Sequence, residues 1–280
     1  MKIFEGRSMV LLSKHNKEAV MQPLLESLTG CHFVVEKRFD TDKLGTFTRE
    51  IQRKKSQLET ARQKIKMGIK LSNAQLAIAS EGSFGSHPFA PIPWNLEIVL
   101  LYDKKEDFEI FGIYEGADTN FDHQITNDWQ NALDFARKVG FPDHWLILRP
   151  ENEKGKPVYK DIFNIPRFEE AFLKCAKKSS SGSVFIETDM RAHANPTRMK
   201  NIGIATQNLI EKLHNFCPIC GSYGFMITDV IKGLPCEMCG IPSDLTLKYI
   251  YRCHKCKHTE EQLHPKGKTA SAQYCHYCNP

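Results

Sequence analysis

The sequence predicts an α/β fold, with a mixed, twisted sheet flanked by helices and followed by a small domain of two tandem zinc ribbons. Up to about residue 213, short apolar segments alternate with amphipathic helical segments, which is typical of α/β domains. Beyond residue 216 the composition changes, and eight of the ten cysteines lie there in four Cys-x-x-Cys pairs. We therefore place an α/β domain at residues 1–214 and the zinc ribbons at residues 215–280.

The first half of the chain alternates between strands and helices. A helix closed by Gly30 follows the first strand, and a capping pattern at Ser56 begins a second helix whose apolar residues recur every three or four positions. The glycines after Glu81 indicate that the third strand ends in a turn, and the polar run 103–107 indicates a hairpin. The predicted strands are 8–12, 32–35, 76–81, 97–102 and 108–114, and the second helix spans 56–70.

The second half of the α/β domain continues the alternation. Gly140 stops a helix, the serine-rich segment 179–183 is a surface loop, and Asn195 with Pro196 begins the last helix as an N-cap and a first helical residue. Polar composition predicts loops at 119–121 and 151–160. The predicted helices are 129–139, 168–177 and 196–213, and the strands are 145–148 and 184–187.

Glu81 is the central residue of the predicted site. A carboxylate at the carboxyl end of a buried strand lies where α/β proteins bind ligands. Glu59, in the first turn of the second helix, could join it as a second Mg²⁺ ligand. Ser56-x-x-Glu59 also matches a capping box, in which Glu59 bonds back to its own helix, and the sequence leaves both interpretations open.

Two further segments carry groups suited to phosphate chemistry. Lys14 and Lys17 lie between the first strand and its helix, where lysines and helix amides favour an anion. After the strand 184–187, acidic and basic residues crowd a helix N-terminus, where arginines would clamp phosphates and a histidine would protonate or orient a leaving oxygen. These residues are Asp189, Arg191, His193 and Arg198, and Asp189 could also join Glu59 and Glu81 in holding the metal. A structural salt-bridge cluster is the alternative there, and solvated lysines are the alternative at the first strand.

The cysteine pairs predict two structural zinc sites of four cysteines each. Two pairs are separated by 15 residues and the other two by 18, which matches the spacing of zinc ribbons. We favour sequential pairing, with interleaving of first with third and second with fourth as the alternative. The predicted ligands are Cys217, Cys220, Cys236, Cys239, Cys253, Cys256, Cys275 and Cys278.

Several motifs in residues 8–213 resemble those of the inosine triphosphatase superfamily of house-cleaning nucleoside triphosphate pyrophosphatases. The segment from Glu59 to Ile65 is similar to the family's Glu-Asn-Ala-x-x-Lys-Ala, and Ser80-Glu81-Gly82 to its Asp-Ser-Gly. Residues 140–143 are similar to its Gly-Phe-Gly-Tyr-Asp, and residues 191–198 lie near its Ser-His-Arg. His15 replaces the Asn of the first motif, Ser/Thr-x-Asn-x-x-Lys. With its tail, the whole chain resembles an uncharacterised bacterial family carrying a zinc-ribbon tail.

The function that we expect is Mg²⁺-dependent hydrolysis of a nucleotide or related phosphoanhydride, with a nucleotide or phosphorylated small molecule as ligand. A non-enzymatic zinc-ribbon adaptor is the rival hypothesis. Nucleic-acid processing is less favoured, because the tail from Cys217 holds seven Lys and Arg against five Asp and Glu. A membrane role is not expected, since no apolar run could span a bilayer. Thiols in metal-type pairs and the lack of a signal-type N-terminus suggest a cytoplasmic protein. Oligomeric state is left open.

Overall fold

The computed structural model describes residues 2–45, 48, 50–51, 54–87 and 89–280. Two compact units follow one another along the chain, at residues 1–210 and 211–280. The division lies four residues before the boundary placed from the sequence. Within the described residues, no helix is long and apolar enough to cross a membrane.

The first sheet of the N-terminal unit is mixed and five-stranded. The strands β1 and β2 are parallel, β3 pairs parallel with β1 on its other side, and β4 and β5 extend the sheet antiparallel, giving the order β2-β1-β3-β4-β5. The elements are β1 (Ser8–Leu12), α1 (Glu18–Thr29), β2 (His32–Glu36), α2 (Gln57–Ser72), β3 (Leu76–His87), β4 (Ala90–Asp103) and β5 (Phe108–Gly116).

A second, antiparallel sheet completes this unit. Its strand order is β6-β9-β7-β8, and the helices α3 and α4 bury their apolar faces against it around Phe135, Leu148 and Phe168. The elements are β6 (His123–Thr126), α3 (Trp129–Lys138), β7 (Leu146–Pro150), β8 (Tyr159–Ile162), α4 (Ile165–Lys178), β9 (Val184–Thr188) and α5 (Pro196–Leu213).

Helices pack directly on the first sheet. Apolar residues of α2, including Ala61 and Ile65, pack with Val10 of β1 and Leu100 of β4. The helix α5 lies against β5, and a Cβ at Gly112 would collide with the α5 backbone. Gly112 therefore permits the close approach of this helix to the sheet.

The predicted α/β class is confirmed, with differences in the strands. We expected one sheet, but the unit has two, since strand alternation does not reveal which sheet a strand joins. The third strand was expected to end at Glu81. It continues to His87 because β4 pairs with it along its whole length, so the glycines lie within a strand. Polar composition predicted loops at 119–121 and 151–160. The strand β6 follows the first of these segments, and β8 overlaps the end of the second.

The C-terminal unit is built on a three-stranded antiparallel sheet. Its strands are β10 (Met226–Lys232), β11 (Thr246–Arg252) and β12 (Thr259–Leu263), with β11 in the centre. The described side chains of this sheet are largely exposed, and the buried residues of the unit are led by cysteines and Phe225. Little apolar area is thus available to stabilise this unit, which is typical of small domains held by metal.

Candidate functional site

A cavity of about 250 Å³ lies in the N-terminal unit and is lined mainly by charged side chains. Its charged lining comprises five Lys and Arg side chains and three Asp and Glu side chains. They come from β3, β8, α2 and α5, from the N-cap position of α1, and from the segments that follow β2 and β9. The charged residues are Lys17, Asp42, Glu50, Lys64, Glu81, Lys160, Arg191 and Arg198. This excess of Lys and Arg suits an anionic ligand.

The central groups of the cavity are Glu81 and two lysines. Lys64 Nζ lies 2.5 Å from Glu81 Oε1, and both side chains are nearly buried. Lys17, at the N-cap position of α1, donates instead to the carbonyl oxygen of Ser80 at 2.6 Å. Burial would raise the pKa of Glu81, but Lys64 and Lys17 outweigh it and hold this pKa below its ordinary value. Glu81 is therefore ionised at neutral pH.

A buried ion pair lies behind these groups. Arg198 Nε donates to Glu97 Oε1 at 2.8 Å, and both side chains are at most 1% exposed. The Asn195 side chain caps α5 by accepting from the Arg198 backbone N–H, which fixes the backbone position of Arg198 in the first turn of the helix. A Cβ at Gly82 would collide with the Glu97 carboxylate and the Arg198 guanidinium. A larger residue at this position of β3 would therefore force the ion pair to shift.

Asp189 and Arg191 interact with each other rather than forming a metal site. The buried Asp189 carboxylate accepts from both the backbone N–H and the guanidinium of Arg191, and Arg191 also contacts Asp161 at 2.8 Å. Burial would lower the pKa of Arg191, but its hydrogen bonds with Asp189 raise it above the ordinary value. Asp189 does not line the cavity. It holds Arg191, which does.

Two histidines meet at the edge of the cavity. His15 Nδ1 lies 3.2 Å from His193 Nδ1, the rings stack, and His15 Nε2 lies 3.1 Å from Asp42 Oδ1. Burial lowers the pKa of His15 to about 4, and burial together with Arg191 lowers that of His193. His15 lines the cavity, whereas His193 stacks on His15 and does not line it.

Two predicted site residues lie outside the cavity. Glu59 forms the capping box, accepting from the Ser56 backbone N–H at 3.0 Å and from Ser56 Oγ at 2.8 Å. Its assignment as a Mg²⁺ ligand and catalytic residue is therefore wrong. Lys14 pairs with Asp40 at 2.7 Å on the surface and does not line the cavity, so its assignment to the phosphate clamp stays a prediction.

Lys64 and Glu97 belong to the site but were not singled out from the sequence. Lys64 had a usable signal, because it lies five residues after Glu59 on α2. A helix turns about 100° per residue, so these two side chains point about 140° apart and could not both face one cavity. Lys64 neighbours the buried Ala61 and Ile65, which indicates the correct face. Glu97 had no such signal, since an acidic residue in a half-buried strand is typical of a solvent face.

The C-terminal unit holds two four-cysteine groups that fit structural zinc. In each group the four Sγ atoms lie within 4.8 Å of one another. The Sγ–Sγ distances that cross between knuckles are 3.6 and 3.6 Å in the first group and 3.9 and 3.6 Å in the second. Tetrahedral zinc with Zn–S bonds near 2.3 Å requires about 3.8 Å. The first group is Cys217, Cys220, Cys253 and Cys256, and the second is Cys236, Cys239, Cys275 and Cys278.

Backbone hydrogen bonds shape the knuckles for metal. In the first, the Gly221 N–H donates to the Cys217 carbonyl oxygen at 2.9 Å, with φ of 66° at the glycine. The second knuckle repeats this bond from Gly240 to Cys236, with φ of 73°. A left-handed residue after the second cysteine turns the chain so that both sulfurs face one point.

The pairing of the knuckles is interleaved, first with third and second with fourth, so the sequential pairing that we favoured is wrong. The sheet dictates this result. Because β10 and β11 are antiparallel, the knuckle before β10 and the knuckle after β11 lie at one end of the sheet. Since β12 runs antiparallel to β11, the knuckles that follow β10 and β12 lie at the other end.

The fold and these sites define an α/β protein with a cation-lined cavity, followed by a unit with two four-cysteine zinc sites. Residues 64–280 match the family described as Domain of unknown function (DUF6671), and the chain belongs to that family. The match begins at Lys64 and includes both four-cysteine groups. No curated protein matches the chain.

Proposed function

We propose that this protein hydrolyses a nucleotide or a related phosphoanhydride bound in the cavity. The observation that carries the proposal is the set of five Lys and Arg side chains that line one cavity around an ionised glutamate. The motif resemblance to inosine triphosphatase-like pyrophosphatases supports it too, because Lys17, Lys64 and Glu81 fall in or beside the similar segments and line the cavity.

Each group would have a definite task in this proposal. Lys17, Lys64 and Arg198 would bind phosphate oxygens at the buried end, and Arg191, held by Asp189, would bind them from the second sheet. Positive groups fixed around a phosphoanhydride also stabilise the charge that develops on its leaving group. The Glu81 carboxylate would orient or deprotonate the attacking water.

Magnesium does not fit this cavity as a resident ion. The cavity carboxylates already have partners: Asp42 contacts His15, Glu50 contacts Lys160 and Glu81 contacts Lys64. Across the described part of the chain, groups of three or more potential ligands are formed by the eight cysteines alone. Mg²⁺ often binds through substrate phosphates with few protein ligands, so we propose that it would enter with the substrate.

A phosphate-release assay tests the proposal. Purified protein is incubated with a panel of nucleoside triphosphates and diphosphates, with and without Mg²⁺, and phosphate and pyrophosphate are measured. Glu81→Gln should lower turnover by about a hundredfold. Glu59→Gln is the matched control and should keep full activity, since Gln also forms a capping box and position 59 lies outside the cavity.

The other outcomes separate the competing functions. Turnover that Glu81→Gln leaves unchanged would remove Glu81 from the reaction. Nucleotide binding without turnover would favour the adaptor hypothesis. Binding to DNA or RNA that falls steeply with salt would favour nucleic-acid processing. We also propose a cytoplasmic location, since eight metal-binding thiols require a reducing compartment.

A further inference from the structure

Three of the described residues that line the cavity are lysines, and they differ in their partners. Lys64 Nζ lies 2.5 Å from a Glu81 oxygen, and Lys160 Nζ lies 2.6 Å from a Glu50 oxygen. Each of these ammonium groups thus has a carboxylate partner, which stabilises the charged form. Lys17 Nζ donates to the neutral carbonyl oxygen of Ser80. A neutral amine satisfies this bond with one N–H and keeps its lone pair.

The surroundings of Lys17 disfavour a positive charge. Its side chain is buried, and it faces the cations of Lys64 on α2 and Arg198 on α5. Its backbone is at the N-terminus of α1, where the helix dipole is also positive. Burial and these two cations, only partly offset by Glu81 on β3 and Glu97 on β4, lower the pKa of Lys17 to about 7.

We infer that Lys17 is a nucleophilic lysine and that the cavity takes small phosphate-bearing aldehydes, which form an imine with its Nζ. The Nζ lone pair attacks the aldehyde carbon, a C–N bond forms, and one amine proton passes to the former carbonyl oxygen. The second amine proton then leaves with this hydroxyl as water, so the C–O bond breaks and a C=N bond remains. The reaction needs no oxidant or reductant.

The same cavity explains why the aldehyde would carry a phosphate. Lys64, Lys160, Arg191 and Arg198 line it with Lys17, so a bound phosphate would hold the aldehyde near the amine. A volume of about 250 Å³ lies near the lower end of the range for small-molecule pockets, which favours a compact ligand. This inference shares the phosphate-binding cavity with the proposed function but needs no hydrolysis.

Pyridoxal 5′-phosphate is the probe. The full-length protein is mixed with one equivalent at pH 7.5, the imine is reduced with sodium borohydride, and labelled lysines are identified by peptide mass spectrometry. Lys17 should carry at least about tenfold more label than any other lysine, because an ordinary lysine is neutral in only about one molecule in a thousand at this pH. Excess pyrophosphate should protect Lys17 in the wild-type protein, and pyridoxal without phosphate should label it far less.

Two variants serve as controls. Lys17→Arg cannot form an imine, so the main label should disappear, whereas Lys14→Arg, at a surface ion pair outside the cavity, should leave Lys17 labelling intact. Label spread over surface lysines, label concentrated on Lys64 or Lys160, or a Lys17 label that pyrophosphate does not reduce would overturn the inference. Lys17 labelling without phosphoanhydride turnover would support it and reject hydrolysis. Phosphoanhydride turnover together with a label on residues other than Lys17 would support hydrolysis and reject the imine.

Discussion

The zinc pairing can be tested by removing cysteines in two sets of four. Replacing Cys217, Cys220, Cys253 and Cys256 with Ser removes every ligand of the first four-cysteine group and leaves the second complete. Replacing Cys217, Cys220, Cys236 and Cys239 instead removes two ligands from each group. Both variants lose the same number of thiols, so they differ only in how the remaining four are arranged.

The expected zinc content follows from the geometry. The Sγ–Sγ distances of 3.6 to 3.9 Å match the spacing of about 3.8 Å in a tetrahedral zinc thiolate site, so the wild-type chain should bind two zinc ions. The first variant should keep one ion. The second should keep none, because each group retains only two of its cysteines and a closed zinc site needs four ligands. Structural zinc contributes roughly 10–16 kcal/mol of apparent binding energy, so partial occupancy should be rare.

The assay is elemental analysis of protein purified without chelator, combined with thiol quantification. The mutated chains also report on folding, since the second variant should unfold its C-terminal unit while the N-terminal unit keeps its helical circular dichroism. One zinc retained by the second variant and none by the first would refute interleaved pairing and restore sequential ribbons.

Three further predictions concern the N-terminal unit. Glu97→Gln should lower the free energy of unfolding in urea by roughly 3–5 kcal/mol, because it removes the carboxylate that pairs with the buried Arg198. Glu109→Gln, at an exposed ion pair, should cost under about 1 kcal/mol, and equal losses would contradict the burial argument. Gly82→Ala should lower the melting temperature, since its Cβ meets the same ion pair; an unchanged value would show that the pair can move. Stability should fall by up to about 3 kcal/mol as pH drops from 6.5 towards 4, because the unfolded chain protonates His15 before the folded one does. His15→Asn should flatten this part of the unfolding profile, and a profile as steep as that of the wild type would exclude His15 as its cause.

Much of the candidate site could be found in the sequence, because local patterns place polar groups at element ends. The helix start at Asn195 predicted Arg198 as a site residue, and the turn after the first strand predicted Lys17. Glu81 was found for a partly wrong reason, since it lies within a long strand rather than at its end. The error at Glu59 arose because a capping box and a metal ligand require the same residue at the same place.

The cysteine pairs by themselves determined that the chain carries two four-cysteine sites, since four Cys-x-x-Cys pairs at ribbon spacing have few other uses. The alternation of apolar segments likewise determined the α/β class. Tertiary structure decided which knuckles share an ion, because strand direction in the three-stranded sheet brings distant knuckles to one end. It also decided that Lys17, Lys64, Glu81 and Arg198 line one cavity, which depends on how α2 and α5 pack on the first sheet. Sequence spacing encodes local geometry, whereas these contacts join residues that only packing brings together.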